Sequence, residues 1–223
     1  MLSAAAGAAL GVYGTYVGMT WLRYGHPPRP SRQQADALLD RFMPRYDVCD
    51  RHSTYVRAPA ATTFKTACEL DLLQQPVVRA IVRAREILLG AEPDVRARPH
   101  GLLAETRALG WGVLAERPER EVVVGAVTKP WEASVTFRAL SPDDFAAFAE
   151  PGYVKIVWTL RADPVGTDTS IFRTETRAVA TDAEARARFR NYWALLSPGI
   201  VLIRHVSLAP VRTRAERLVA RAR

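Results

Sequence analysis

The stretch TETRAVATDAEARARFRNYW, residues 174–193, changes its period halfway along. Up to Ala180 the chain alternates, with Phe172, Thr174 and Thr176 on one face and Arg173, Glu175 and Arg177 on the other, as in a strand. Thr181 and Glu184 then stand at capping-box spacing, and Phe189, Trp193 and Leu196 recur at helical spacing. A strand that runs straight into a long amphipathic helix points to an α+β domain.

Working upstream, Tyr153 to Ala162 puts Val154, Ile156, Trp158 and Leu160 on one face and Lys155 and Arg161 on the other, a half-buried strand. Asp163-Pro164-Val165-Gly166 supplies a turn towards Ser170. Ser141, Pro142, Asp143 and Asp144 have the chemistry of a helix start, for a helix ending at Pro151-Gly152. Three earlier strands are predicted over 111–116, 120–128 and 133–139, separated by Arg117-Pro118-Glu119 and Lys129-Pro130. Helices are expected over 61–68, from Pro76, and over 102–109, with a loop around Pro93 and Pro99. A first strand fits 46–57, and a weakly periodic helix fits 33–42. Downstream, Pro198-Gly199 is expected to kink or break the last helix before a basic continuation over 200–223.

The N-terminal segment is of another kind. Leu2 to Leu22 carries no charge and is long enough to cross a hydrocarbon core of roughly 30 Å. Tyr13, Tyr16, Trp21 and Tyr24 gather towards its end, followed by Arg23, Arg29 and Arg32, which predicts a single-pass helix with the domain on the cytoplasmic face. A cleaved signal peptide fits less well, because no basic residues precede the apolar run and no small-x-small site follows it. Gly7, Gly11, Gly14 and Gly18, continuing from Ala4, line one face where a second helix could approach closely. The division expected is a transmembrane anchor over 1–24, a Pro-containing linker with a short helix over 25–45, a folded domain over 46–204 and a basic helix over 205–223.

The net charge of +8 does not make this a nucleic-acid binder. Residues 1–45 hold five Arg against two Asp and residues 181–223 hold nine Arg against three acids, which leaves the centre at −1. Neither basic end interleaves aromatic residues with its cations as single-strand binders do. Arg204, Arg212, Arg214, Arg217, Arg221 and Arg223, with Leu208, Val211 and Leu218, suit a helix lying on anionic lipid, and share that role with Arg23, Arg29 and Arg32. Cys49 and Cys68, the two cysteines, show no paired spacing.

The opening stretch and RAPAATTF, residues 57–64, resemble the strand-to-helix passages of the START-like superfamily, also called SRPBCC, over residues 46–204. The resemblance implies a helix-grip fold, in which a curved antiparallel sheet wraps a long C-terminal helix around an apolar cavity. It also implies a non-catalytic binding protein for a lipophilic small molecule of the lipid or quinone class. Phe137, Trp158, Phe172, Thr176 and Trp193 are the residues expected to contact that ligand, each with core packing as the simpler role. An enzyme of the cyclase or hydratase kind is an alternative and would need a polar group such as Glu175, Arg177 or His52 inside the cavity. A membrane-complex adaptor is another, and would need no cavity.

No catalytic residue, metal site or cofactor is indicated. The chain lacks G-x-S-x-G, H-E-x-x-H, Walker and G-x-G-x-x-G motifs, and His26, His52, His100 and His205 are scattered. Glu175, between Arg173 and Arg177, fits an ion pair on the outer sheet face.

Overall fold

The computed structural model describes residues 2–91 and 99–222, so the loop expected at Pro93 lies outside the described residues. The elements in order are helices α1 (Leu2–Arg23) and α2 (Ala37–Phe42), strand β1 (Val48–Val56), helices α3 (Ala60–Cys68), α4 (Pro76–Leu89) and α5 (Leu102–Ala108), strands β2 (Gly112–Arg117) and β3 (Glu121–Thr128), helix α6 (Pro142–Ala147), strands β4 (Val154–Gly166) and β5 (Thr169–Ala180), and helix α7 (Ala183–Ala222). The five strands form one antiparallel sheet in the order β1-β5-β4-β3-β2. The first strand therefore pairs with the last, and the three helices between β1 and β2 carry the chain to the opposite edge. The sheet curves around α7, the helix-grip arrangement.

Alternation decides what each face carries. Val122, Val124, Trp158, Leu160 and Phe172 point to the concave side, where α3 and the C-terminal half of α7 pack on them through Phe64, Ala67, Val211 and Ala215. Val123, Val127 and Val157 point to the convex side, under Leu39, Phe42 and Met43 near α2 and Phe145 of α6. β3 is buried along its whole length because both its faces are covered, which is why it reads as a continuous apolar run. A side chain at Gly125 would collide with Leu114 and Phe145, so glycine is what lets α6 lie close to β3.

Several expectations change. Residues 133–139 do not form a strand; after Lys129-Pro130 the chain loops, tied to β3 by an isolated bridge between Val127 and Arg138 and by the Thr128 hydroxyl donating to the Thr136 carbonyl at 2.8 Å. The predicted turn at 163–166 is still strand, and the hairpin closes between Gly166 and Thr169. Asp182, not Thr181, caps α7: its carboxylate accepts from the Glu184 and Ala185 amides at 2.8 and 2.9 Å, while the Thr181 hydroxyl donates to the Tyr153 carbonyl.

Pro198 and Pro210 do not break α7. An interior proline costs about 3 kcal/mol, but the helix is clamped on both sides of these positions by Phe189, Ala194 and Ser197 before and Ser207, Val211 and Ala215 after. The boundary expected between 204 and 205 thus falls inside one continuous helix, whose last turns are held against the core. Residues 25–45 likewise pack on the domain: Leu39 and Met43 are buried, Gly25 donates to the Asp47 carbonyl, and Tyr24 meets Phe189 edge-on with its hydroxyl on Asp47.

α1 is helical throughout, and its second half lies antiparallel along α7. Tyr13 donates to the Leu195 carbonyl at 2.6 Å, Tyr16 meets the Ser197 hydroxyl, and Trp21 donates to Asn191. Arg190 donates to the Trp21 carbonyl, with its guanidinium over the Trp21 ring. Gly11, Gly14 and Gly18 face away from these contacts, with no described atom within 4 Å of where a side chain would begin.

Candidate ligand cavity

Between the concave face and the N-terminal half of α7 the packing stops short. A cavity of about 640 Å³ remains, lined by Trp111, Phe137, Ile156, Trp158, Phe189 and Trp193, with α4 and the 130–137 loop closing its side. The volume lies in the range of small-molecule sites. Its aromatic wall has two groups: Trp111 lies 4.8 Å from Phe137 and 6.3 Å from Trp158, and Phe189 lies 6.0 Å from Trp193, centroid to centroid. The 133–139 segment is part of this wall because it left the sheet.

Four of the five predicted contact residues meet here: Phe137, Trp158, Thr176 and Trp193. Phe172 does not. Its place on β5 falls beneath α3, where it is 1% exposed within the filled half of the concave core. The alternation that gives Phe172 and Thr176 one face says nothing about which end of that face α3 covers.

Of the charged residues of the cavity, Arg204, expected on the lipid-facing surface of the basic helix, lies instead against the sheet, and Arg85 carries no expected role. Arg85 reaches from α4 to the Tyr192 hydroxyl at 3.4 Å and the Pro130 carbonyl at 3.2 Å. Arg204 of α7 donates to the Thr174 hydroxyl at 2.9 Å and sits 4.9 Å above the Trp158 ring. Burial pushes the Arg204 guanidinium down to about 10, against the opposing charge of Asp50, so it remains a cation at neutral pH. Arg85 and Glu86 are adjacent in sequence and do not share a helix face, and nothing in the neighbours of Arg85 signals that it spans to another element.

Glu175 and Arg177 lie on the convex face, as the alternation requires, and the structure buries them under α2. Arg177 is 0% exposed; it donates to Glu175 at 2.6 Å, to Asp40 and to the Met43 carbonyl, beneath the Tyr46 ring. Arg51 closes the cluster on Glu175 at 2.8 Å. Cys49 donates to Glu175, and burial, then the Glu175 charge, holds its thiol well above the ordinary range. Burial likewise pushes the Cys68 thiol up to about 12; neither is an activated nucleophile. His52 faces α7 but is engaged with Asp50 at 2.9 Å and the His205 ring. Among the described residues no group of three or more metal-binding side chains converges.

Arg23, Arg29, Arg32, Arg212, Arg214 and Arg217 are all exposed. They form two groups, since Arg23 lies beside the start of α7 and Arg212 follows Asn191 by 21 residues, about 32 Å of helix. Among the described residues α7 is the one helix long and apolar enough to cross a membrane by length and composition, yet it is also the helix that grips the sheet.

The sheet order and the gripping helix define a helix-grip domain. No family model and no curated protein matches the chain. Solved structures similar to it include norcoclaurine synthase from Thalictrum flavum in complex with dopamine and hydroxybenzaldehyde, 11% identical, covering 78% of this chain and 87% of that one with a TM-score of 0.37. The Zhui aromatase/cyclase from Streptomyces sp. R1128 is 13% identical, with coverage of 77% and 94% and a TM-score of 0.23. At these scores the fold class rests on the sheet order and the gripping helix, not on the likenesses.

Proposed function

We propose that the protein is a membrane-associated, non-catalytic binding protein for a lipophilic small molecule of the lipid or quinone class. The aromatic-walled cavity carries this reading. A core closes its gaps unless something fills them, because unfilled volume forfeits dispersion contacts. A wall of three indoles and two phenyl rings suits an apolar guest. The cyclase alternative loses the two charged groups it would have drawn from β5, since both lie on the convex face, Glu175 held by Arg51 and Arg177, and Arg177 by Glu175 and Asp40.

Membrane association is supported by apolar side chains left bare on three neighbouring helices: Val12, Met19 and Leu22 on α1, Leu195 and Leu202 on α7, and Val77, Ile87 and Leu88 on α4. With its second half docked on α7, α1 leaves residues 2–10 beyond the tyrosine contacts, about 14 Å of helix and half a hydrocarbon core. That geometry favours a domain lying against the bilayer on its α1–α7 side.

The test is native mass spectrometry of the full-length protein in detergent, followed by organic extraction. A stoichiometric lipophile is expected. A ligand-free protein that takes up no lipophile when one is offered would overturn the reading, and one carrying a second polypeptide would favour an adaptor.

A further inference from the structure

The cavity is apolar along most of its wall, but the charge set into it has one sign to spare. Glu86, its one lining carboxylate among the described residues, is taken by Arg83 at 3.1 Å. Arg85 and Arg204 have no carboxylate within 4 Å among the described residues; their acceptors are a phenol, a carbonyl and a hydroxyl. A guanidinium has five donor hydrogens in a fork that matches an oxyanion. Arg204 uses one of its nitrogens on Thr174, and its plane is backed by Trp158. Next along β5, Thr176 is 8% exposed, lines the same cavity, and its hydroxyl has no hydrogen-bond partner among the described residues. The charged and titratable groups facing Arg204 from β1 and α7 are Asp50, which acts on it from beyond 4 Å, and the paired rings of His52 and His205.

We infer that the guest is an amphiphile with an oxyanion head, a carboxylate in the simplest case, held by Arg204 and the Thr176 hydroxyl at the end of the cavity that abuts the α3 core. Its apolar body extends along the Trp111, Phe137 and Trp193 wall towards Arg85. Tyr192, the partner of Arg85, precedes Arg204 by 12 residues on α7, about 18 Å of helix. This rests on the lipophile reading and goes beyond it, because a neutral quinone or sterol would leave the Arg204 fork unfilled.

The test measures quenching of tryptophan fluorescence in the full-length protein, in neutral detergent, by 12-bromododecanoate and by 12-bromododecan-1-ol. Both should quench, with the carboxylate binding about tenfold tighter or more, the scale of one hydrogen bond to a charged group. Arg204→Gln should erase the difference while the alcohol still binds, and Arg204→Lys should keep most of it. Equal affinity for the two probes in the unaltered protein, or a preference that survives Arg204→Gln, overturns the inference and leaves the lipophile reading standing. Quenching by neither probe overturns both. Should Arg204→Gln fail to fold, the ratio of the two probes on the unaltered protein and on Arg204→Lys decides the matter.

Discussion

The two faces of the sheet handle buried charge in opposite ways. On the convex face Arg51, Glu175, Arg177 and Asp40 form a closed chain of ion pairs beneath α2, and Arg161, Asp163 and Arg173 form another. On the concave face Arg85 and Arg204 meet only neutral acceptors among the described residues, and a volume of about 640 Å³ stays open beside them. Charge held in a chain of ion pairs seals a surface, whereas charge set in an apolar wall with neutral partners keeps it ready for a guest.

The comparison breaks most visibly at Arg177. Arg177→Met should cost about 3 kcal/mol, because it takes one of two cations from the buried Glu175, which keeps Arg51, and strips the half-exposed Asp40 of its partner. Urea denaturation measures this, and a cost below about 1 kcal/mol would mean the convex cluster does not seal that face. Truncating an aromatic residue on each face sharpens the contrast. Phe145→Ala, in the filled convex core, should cost about 3 to 5 kcal/mol, while Trp193→Ala, against the cavity, should cost less than about 2 and instead weaken uptake of a lipophile.

Near neutral pH the convex face carries a titration of its own. Burial first, then the hydrogen bond and charge of Asp36, push the Glu121 carboxyl up to about 7, with Arg161 and Arg117 pulling the other way. The folded state thus holds this proton more tightly than the unfolded chain does. Its contribution is full below the unfolded value near 4.5 and is lost as pH rises through about 7, a fall on the order of 3 kcal/mol. Glu121→Gln should flatten stability over that window. The smallest effect is expected at Gly199, where a methyl group would press on Ile81 of α4. Gly199→Ala should change stability by under about 1 kcal/mol, since improved helix propensity offsets the clash, but should shift α4 and alter ligand affinity.

Period-two alternation is local, so the chain alone determined that β4 and β5 are strands, that Trp158, Thr176 and Phe172 share one face, and that Glu175 and Arg177 share the other. The apolar stripe of 189–196 likewise announced a helix that must lie on a sheet. Tertiary structure decided the rest, because it depends on what covers each position: α3 fills one end of the concave face and buries Phe172, while the other end stays open around Trp158. It carried α7 through two prolines by clamping the helix on both sides. It also took residues 133–139 out of the sheet to form a cavity wall. Arg85 and Arg204 are adjacent to nothing telling in sequence, and a cation's role is set by partners that folding alone brings within reach.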